Sequence, residues 1–303
     1  MGSMKALITG GAGFIGSHLA ERLVKDGWDI TVIDDFSTGR RENLATIPHV
    51  RIVERSVNEG LGDVMDGVDV VFHLAAAVSV PESINDPEGT HHTNVDGLVH
   101  VLEAMRASQT RRIVFASSAA VYGSHAPFPT PERAPLAPES PYGLHKVIGE
   151  QYLTLYRFLF GFKTTSLRFF NVYGPRQRDD SPYSGVVAKF MECARGGKPL
   201  TIFGDGTQTR DFVAVSDVVT ALLSAAKRDE VSDTPLNIGS GKAISINELA
   251  ETVCRTIGVP YKPIYQNARL GDIVHSVADI SLAQNILNWS PQTSLVDGLA
   301  RIV

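Results

Sequence analysis

The chain is poor in cysteine, with only Cys193 and Cys254 among 303 residues. Neither stands at metal-ligand spacing or in a framework pattern. That argues against a disulfide scaffold or zinc site and predicts two buried apolar thiols in a reducing compartment. No apolar run approaches a membrane span. The N-terminus runs straight into strand-like sequence without a charged and apolar leader, so a cytoplasmic location is expected. A basic excess is also missing: 28 lysines and arginines face 33 acidic residues, for a net charge of −5. Such a balance gives no general attraction to nucleic acid or anionic membrane, and neither is expected as a partner. There is no internal repeat and no low-complexity segment, which argues against solenoids and linkers.

What is present is a hydrophobic fraction of 43%, enough for one large domain or two modest ones sharing a core boundary. Short apolar runs alternate with helical patterns through the first half. Residues 5–9, 29–34, 50–54, 68–74, 112–116 and 163–169 read as strands, and 14–25 as a helix. Over 95–106, Val95, Leu98, Val99, Leu102 and Met105 share one helical face. This alternation predicts an α/β protein with a parallel sheet covered by helices on both faces. Prolines at 127, 129, 131, 135, 138 and 141 exclude a helix or central strand over 124–141, predicting a long excursion over the active site. A helix to about residue 160 follows, with Ser140 as N-cap and Pro141 in its first turn. The second half carries Gly/Pro-rich turns around shorter elements. The domain boundary is expected near residue 170, with 211–237 returning to the first domain and the rest of 171–303 forming a smaller α/β substrate domain.

Between the first strand and first helix, Gly10, Gly11, Gly13 and Gly16 fit both a G-x-G-x-x-G and a G-x-x-G-x-x-G reading. In either, residues without side chains let the backbone approach a pyrophosphate, and the helix N-terminus offers N–H groups to the anion. Asp34 follows Gly16 by eighteen residues at the end of the second strand. A carboxylate there accepts hydrogen bonds from ribose hydroxyls and repels a 2′-phosphate, favouring NAD over NADP, although Arg40 and Arg41 lie nearby. Tyr142 and Lys146 are four apart on the predicted helix and share a face. A phenol titrates near ~10. A neighbouring ammonium and the positive charge of oxidised nicotinamide are expected to lower that value. Ser117 and Ser118 close a strand, where hydroxyls open into the ligand crevice of such sheets.

Six ordered motifs resemble the extended short-chain dehydrogenase/reductase superfamily, and within it the nucleotide-sugar epimerase/dehydratase family, over essentially the whole chain. They are residues 9–16, Asp34 with Ser37-Thr38-Gly39, and His73-Leu74-Ala75-Ala76, followed by 117–123, 142–146 and 168–175. The resemblance implies a Rossmann-type doubly wound sheet, with NAD held by Gly10, Gly13, Phe14, Ile15, Gly16, Asp34, Ser37, Thr38, Gly39, Leu74, Ala75, Ala76 and Ser117. It implies Tyr142 as base, Lys146 as the group that binds nicotinamide ribose and tunes Tyr142, and Ser118 as partner of the sugar 4-hydroxyl. The chain departs from the family at 53–58, where an acidic residue often meets the adenine amine and this chain offers Ser56, beside Val57.

Enzymes of this family begin with oxidation at carbon 4 of the sugar. Where resembling 4,6-dehydratases carry an Asp-Glu pair, this chain has Ala119 and Ala120, which cannot transfer a proton. The resemblance therefore implies 4-epimerisation of a UDP-hexose, with a dehydratase or decarboxylase as the alternative. It puts Asn171, Arg210, Arg269 and Asp272 on the nucleotide diphosphate and ribose, with Thr201 and Phe203 near the base; arginine forks match phosphate oxygens. Ser276 stands where enzymes confined to unmodified hexoses resemble one another in a bulky tyrosine, so N-acetylhexosamine forms are expected beside glucose and galactose. His91 and His92 read as capping or surface residues, with no metal implied. The helices at 95–106 and 142–160 are read as carrying a second apolar stripe, visible in Leu153, Tyr156 and Leu159, through which related enzymes form a homodimer.

Overall fold

The computed structural model describes residues 3–178, 185–228, 234–268 and 273–303. Seven parallel strands build the central sheet: β1 (Lys5–Thr9), β2 (Asp29–Asp34), β3 (Val50–Glu54), β4 (Val70–His73), β5 (Arg112–Ser118), β6 (Lys163–Phe169) and, after four shorter strands, β11 (Leu236–Ile238). Their spatial order is β11-β6-β5-β4-β1-β2-β3. The direction of winding reverses between β1 and β4, and in open sheets of this kind the crevice for ligands opens at that point.

Side chains alternate across the sheet and build two cores. Ile8, Val32, Phe72 and Val114 pack on one face, under α1 (Phe14–Lys25) and α7 (Val215–Lys227). Their neighbours Leu7, Ile33, Val71 and Ile113 pack on the other, under α4 (Gly97–Ala107) and α5 (Pro141–Phe160). Burial on both faces explains why these strands read as continuous apolar runs. Between β4 and α4 lie two short helices, α2 (Val80–Asn85) and α3 (Pro87–His91), then a π-helical turn at His92–Asp96. Helix α5 starts as its sequence suggests: the Ser140 hydroxyl accepts from Gly143 N–H, Pro141 occupies the first turn, and Gly161 closes the helix at φ 67°.

The helical stripe needs correction. Leu153 and Tyr156 are 1% and 7% exposed and belong to the core beneath the sheet, together with Phe162. Leu159 does face outward, and the apolar face it belongs to is completed by Leu144, Leu155 and Phe158, with Phe158 84% exposed. Leu153 and Tyr156 are three residues apart and share the sheet-facing side; Leu155 and Phe158 lie about 160–200° away around the helix.

The remaining chain is made of short pieces. They are β7 (Asn171–Tyr173), α6 (Val186–Arg195), β8 (Thr201–Phe203), β9 (Thr209–Arg210) and β10 (Phe212–Ala214), then β12 (Ile244–Ser245), α8 (Ile246–Ile257), β13 (Ile264–Gln266), β14 (His275–Ser276), α9 (Ser281–Leu287) and α10 (Leu295–Ala300). A core of Tyr173, Phe190, Ile202, Leu249, Val253 and Leu299 holds most of them. Helix α9 is an exception: Ala283 and Leu287 join α7 on the central sheet. Residues 122–140 form neither helix nor regular strand beyond one bridge from Thr130 to Ala278. That bridge, with Thr130 N–H on the Val277 carbonyl at 2.8 Å, docks the proline-rich excursion beside β14.

Candidate active site

The glycine loop closes the crevice between β1 and β4. Gly10 has φ +70°, and a Cβ there would stand 2.7 Å from the Ala75 backbone nitrogen. At Gly16 a Cβ would fall 2.2 Å from the Gly10 carbonyl oxygen. Only glycine permits this approach of two backbones. The loop is also tied down: Ala12 N–H donates to Asp34 Oδ2 at 2.8 Å, and the Ala12 carbonyl accepts from Asn43 Nδ2 and Arg40 N–H. Gly13 caps α1 without a side chain, so the N–H groups of its first turn, at Phe14, Ile15 and Gly16, face outward as an anion cradle.

Asp34 is 7% exposed, and each of its oxygens already takes one backbone N–H, from Ala12 and Phe36. Each oxygen keeps a lone pair for a further donor such as a ribose hydroxyl. Burial pushes this carboxyl up from its ordinary range, against those hydrogen bonds. Ser37 folds onto Asp35, the Thr38 carbonyl accepts from Arg178, and Gly39 lies against the Asp34 carboxylate. Ser56 uses its hydroxyl to cap Asn58 N–H, and its own N–H is held by Glu59. Val57 is buried in the core. Leu74, Ala75 and Ala76 continue from β4, with Leu74 N–H on the Thr9 carbonyl at 3.1 Å.

Tyr142, Lys146 and Ser118 converge. Ser118 ends β5 with its hydroxyl next to the Tyr142 phenol, and its Oγ accepts from Ala120 N–H at 3.2 Å. Lys146 Nζ donates to the Ala116 carbonyl at 2.8 Å and lies 5.6 Å from the Tyr142 ring centre. Burial lowers the Lys146 ammonium to about 8, opposed by the Glu150 carboxylate. The neighbouring His73 is pushed down to about 3 by burial and by Lys146, so it is a neutral imidazole, bonded to Thr9 Oγ1 at 2.8 Å.

The expected acidity of Tyr142 is corrected in one respect. In the protein alone, burial raises the phenol above its ordinary value and the adjacent Ser118 hydroxyl only partly opposes it. Lys146 Nζ gives one of its hydrogen bonds to the Ala116 carbonyl. A bound oxidised nicotinamide would add a cationic ring favouring the phenolate. Ser117 also differs from a simple reading of its position. It is 2% exposed, and its hydroxyl donates to Glu150 Oε1 at 2.5 Å, away from the crevice. Only its backbone remains for a cofactor.

Several residues that bear on the site escaped the sequence reading. Glu150, one turn beyond Lys146, takes Ser117 and a bidentate grip from Arg168, with Nε at 2.8 Å and Nη2 at 2.7 Å. Arg168 Nη1 continues to the Tyr122 hydroxyl at 2.8 Å. Asn94, in the π-helical turn, clamps Ala77 through both its N–H and its carbonyl, at 2.7 and 3.0 Å, fixing the segment after β4. Ser83 accepts the Tyr142 N–H at 3.2 Å. The four-residue step from Lys146 to Glu150 was the available hint; Asn94 and Ser83 gave none.

On the other side, Asn171 opens β7, Thr201 and Phe203 bound β8, and β14 sets Ser276 opposite Arg210 in register. Arg269 and Asp272 lie outside the described residues. His91 and His92 are exposed; His91 meets the His145 ring edge-on and His92 Nδ1 lies 3.0 Å from Asp96.

Residues 6–239 match the sequence profile of the NAD dependent epimerase/dehydratase family. The chain belongs to that family. It is 40% identical over 309 residues to the UDP-glucose 4-epimerase of Mycolicibacterium smegmatis, covering 99% of this chain and 97% of that protein. A UDP-N-acetyl-alpha-D-glucosaminuronate decarboxylase of Bacillus cytotoxicus is 34% identical, over 99% of this chain and 96% of the relative. The solved UDP-N-acetylglucosamine 4-epimerase of Methanobrevibacter ruminantium superposes with a TM-score of 0.95 at 34% identity, covering 100% of this chain and 97% of that one. The seven-stranded Rossmann-type sheet is thus the family architecture.

Proposed function

We propose that this chain catalyses NAD-dependent, reversible 4-epimerisation of a UDP-hexose through a transient 4-keto sugar. One observation carries the reading: the Tyr142 ring stands 5.6 Å from the buried Lys146 Nζ and next to the Ser118 hydroxyl, and the same strand end continues into Ala119 and Ala120. When bound, NAD supplies a hydride acceptor that can return the hydride to carbon 4. Tyr142 takes the proton from the 4-hydroxyl, and Ser118 holds that oxygen in place. Lys146 supplies the nearby positive charge and a donor for ribose. Alanines at 119 and 120 move no proton, so these residues give elimination of water no assistance. The cradle fits the cofactor because glycines line the approach and Asp34 retains acceptor capacity.

Asn171, Arg210, Arg269 and Asp272 would hold the nucleotide diphosphate and ribose, with Thr201 and Phe203 near the base. UDP-glucose and UDP-galactose are the first substrates. The small Ser276 leaves room for the N-acetylhexosamine forms. The outward apolar face of α5 suits a second copy of the chain, giving a homodimer. Among the described residues no helix is long and apolar enough to cross a membrane, and the two unbridged cysteines suit a reducing cytoplasm.

Incubation of the purified enzyme with UDP-glucose, UDP-N-acetylglucosamine, UDP-glucuronate and dTDP-glucose, followed by chromatography and mass analysis, tests this. Products of unchanged mass that comigrate with the galacto isomers are expected. Loss of water would identify a dehydratase, and loss of carbon dioxide a decarboxylase.

A further inference from the structure

The strands that carry the nucleotide side are two or three residues long, too short for their own ladders to set them firmly. Asp211, between β9 and β10, touches the segments on both sides of them. It is 0% exposed. Its Oδ1 accepts Ser240 N–H at 2.5 Å and Ser240 Oγ at 2.6 Å. Its Oδ2 accepts Gly241 N–H at 2.9 Å and Ala278 N–H at 3.2 Å. Its backbone carbonyl accepts both Asn171 N–H at 3.0 Å and Asn171 Nδ2 at 3.2 Å. The fit is close, since a Cβ on Gly239 would fall 2.5 Å from Oδ2.

We propose that Asp211 is a positioning residue for the nucleotide end of the substrate, setting Arg210, Asn171 and the strand of Ser276 in one register and tying them to the turn after β11. This rests on the reading above that Asn171 and Arg210 hold the nucleotide. A buried carboxylate facing four donors is satisfied only while all the donating segments stay in place. Ser240 and Gly241 follow a strand of the central sheet, whereas Ala278 follows Ser276 by two residues. The carboxylate therefore references the loosely laddered strands to the rigid sheet. Asparagine at 211 would turn an N–H₂ group toward one pair of donors, losing either the grip on Ala278 or that on Ser240.

The experiment compares Asp211→Asn, Ser240→Ala and Arg210→Met in the purified enzyme. It measures calorimetric affinity for UDP, KM and kcat with UDP-glucose, and retained NAD. Asp211→Asn is expected to weaken UDP and raise KM by roughly tenfold or more, with kcat within about threefold and NAD content unchanged. Ser240→Ala, which keeps the N–H donor, should weaken UDP by roughly two- to fivefold and remains informative where Asp211→Asn does not fold. Wild-type UDP affinity in Ser240→Ala and in any folded Asp211→Asn, while Arg210→Met loses UDP, overturns the proposal and spares the reading of the site. Undiminished UDP affinity in Arg210→Met overturns that reading and the proposal with it. Parallel loss of kcat, NAD and UDP affinity in Asp211→Asn or Ser240→Ala assigns Asp211 to the scaffold alone and also overturns the proposal.

Discussion

The two sides of the crevice are built by different means. On the sheet side, strands of four to seven residues set the chain by their own ladders: β1 ends on Thr9, Leu74 follows β4, and β5 runs three residues beyond their level to Ser118. On the nucleotide side the strands are short, and a buried carboxylate gathers their ends. Each side has such a carboxylate, but in different company. Glu150 is paired with the Arg168 guanidinium, both nearly inaccessible at 6% and 3% of their side-chain surface. Asp211 meets neutral donors alone, and burial pushes its carboxyl up despite them. Regular structure thus places Tyr142, Lys146 and Ser118, and polar contacts at long range place the short strands opposite them.

The largest expected effect strikes the sheet side. Tyr142→Phe should lower kcat by about 10²–10⁴-fold while retaining NAD, as read by steady-state assay and cofactor content. Retained turnover would show that the phenol is not the base. Next is Glu150→Ala, which leaves the Arg168 cation buried without its partner. A loss of about 3–5 kcal/mol is expected in urea unfolding, most of it recovered when Arg168→Met is added. If single and double variants are equally unstable, the pair is not the unit that braces β6 against α5.

Smaller effects separate the sides further. Ser276→Tyr should lower kcat/KM for UDP-N-acetylglucosamine by roughly tenfold or more relative to UDP-glucose. Equal loss on both sugars would remove Ser276 from the specificity reading. The last effect concerns pH. Lys146 is held down to about 8 by burial, so it is an ammonium below that pH and loses its charge above it. kcat/KM should decline as pH rises through about 8. Glu150 favours the charged form, so a folded Glu150→Gln should move that limb toward lower pH. A limb that stays in place would mean that Glu150 braces the strand without tuning the lysine.

Legibility follows the same division. Ser140 and Pro141 mark the start of α5 because a cap depends on residues within one turn. The proline run over 124–141 excluded regular structure for an equally local reason, the fixed φ and missing N–H of each proline. The outward face of α5 was misread because Leu153, Tyr156 and Leu159 look alike as apolar letters. Their burial depends on where the sheet lies. Asp211 is next to Arg210 in sequence, yet nothing local reveals that it grips Ser240 and Ala278, which are 29 and 67 residues away.

By itself, the sequence determined the strand–helix alternation, the glycine turn into α1, the shared helical face of Tyr142 and Lys146, and the absence of proton-transfer groups at 119 and 120. These depend on backbone sterics and on spacings of a few residues. Tertiary structure alone decided that Ser117 turns to Glu150, that the Tyr142 phenol is raised by burial, and that Asp211 ties the segment after β14 to the turn after β11. Burial and long-range hydrogen bonds come into being only when distant segments pack, so their effects belong to the assembled chain.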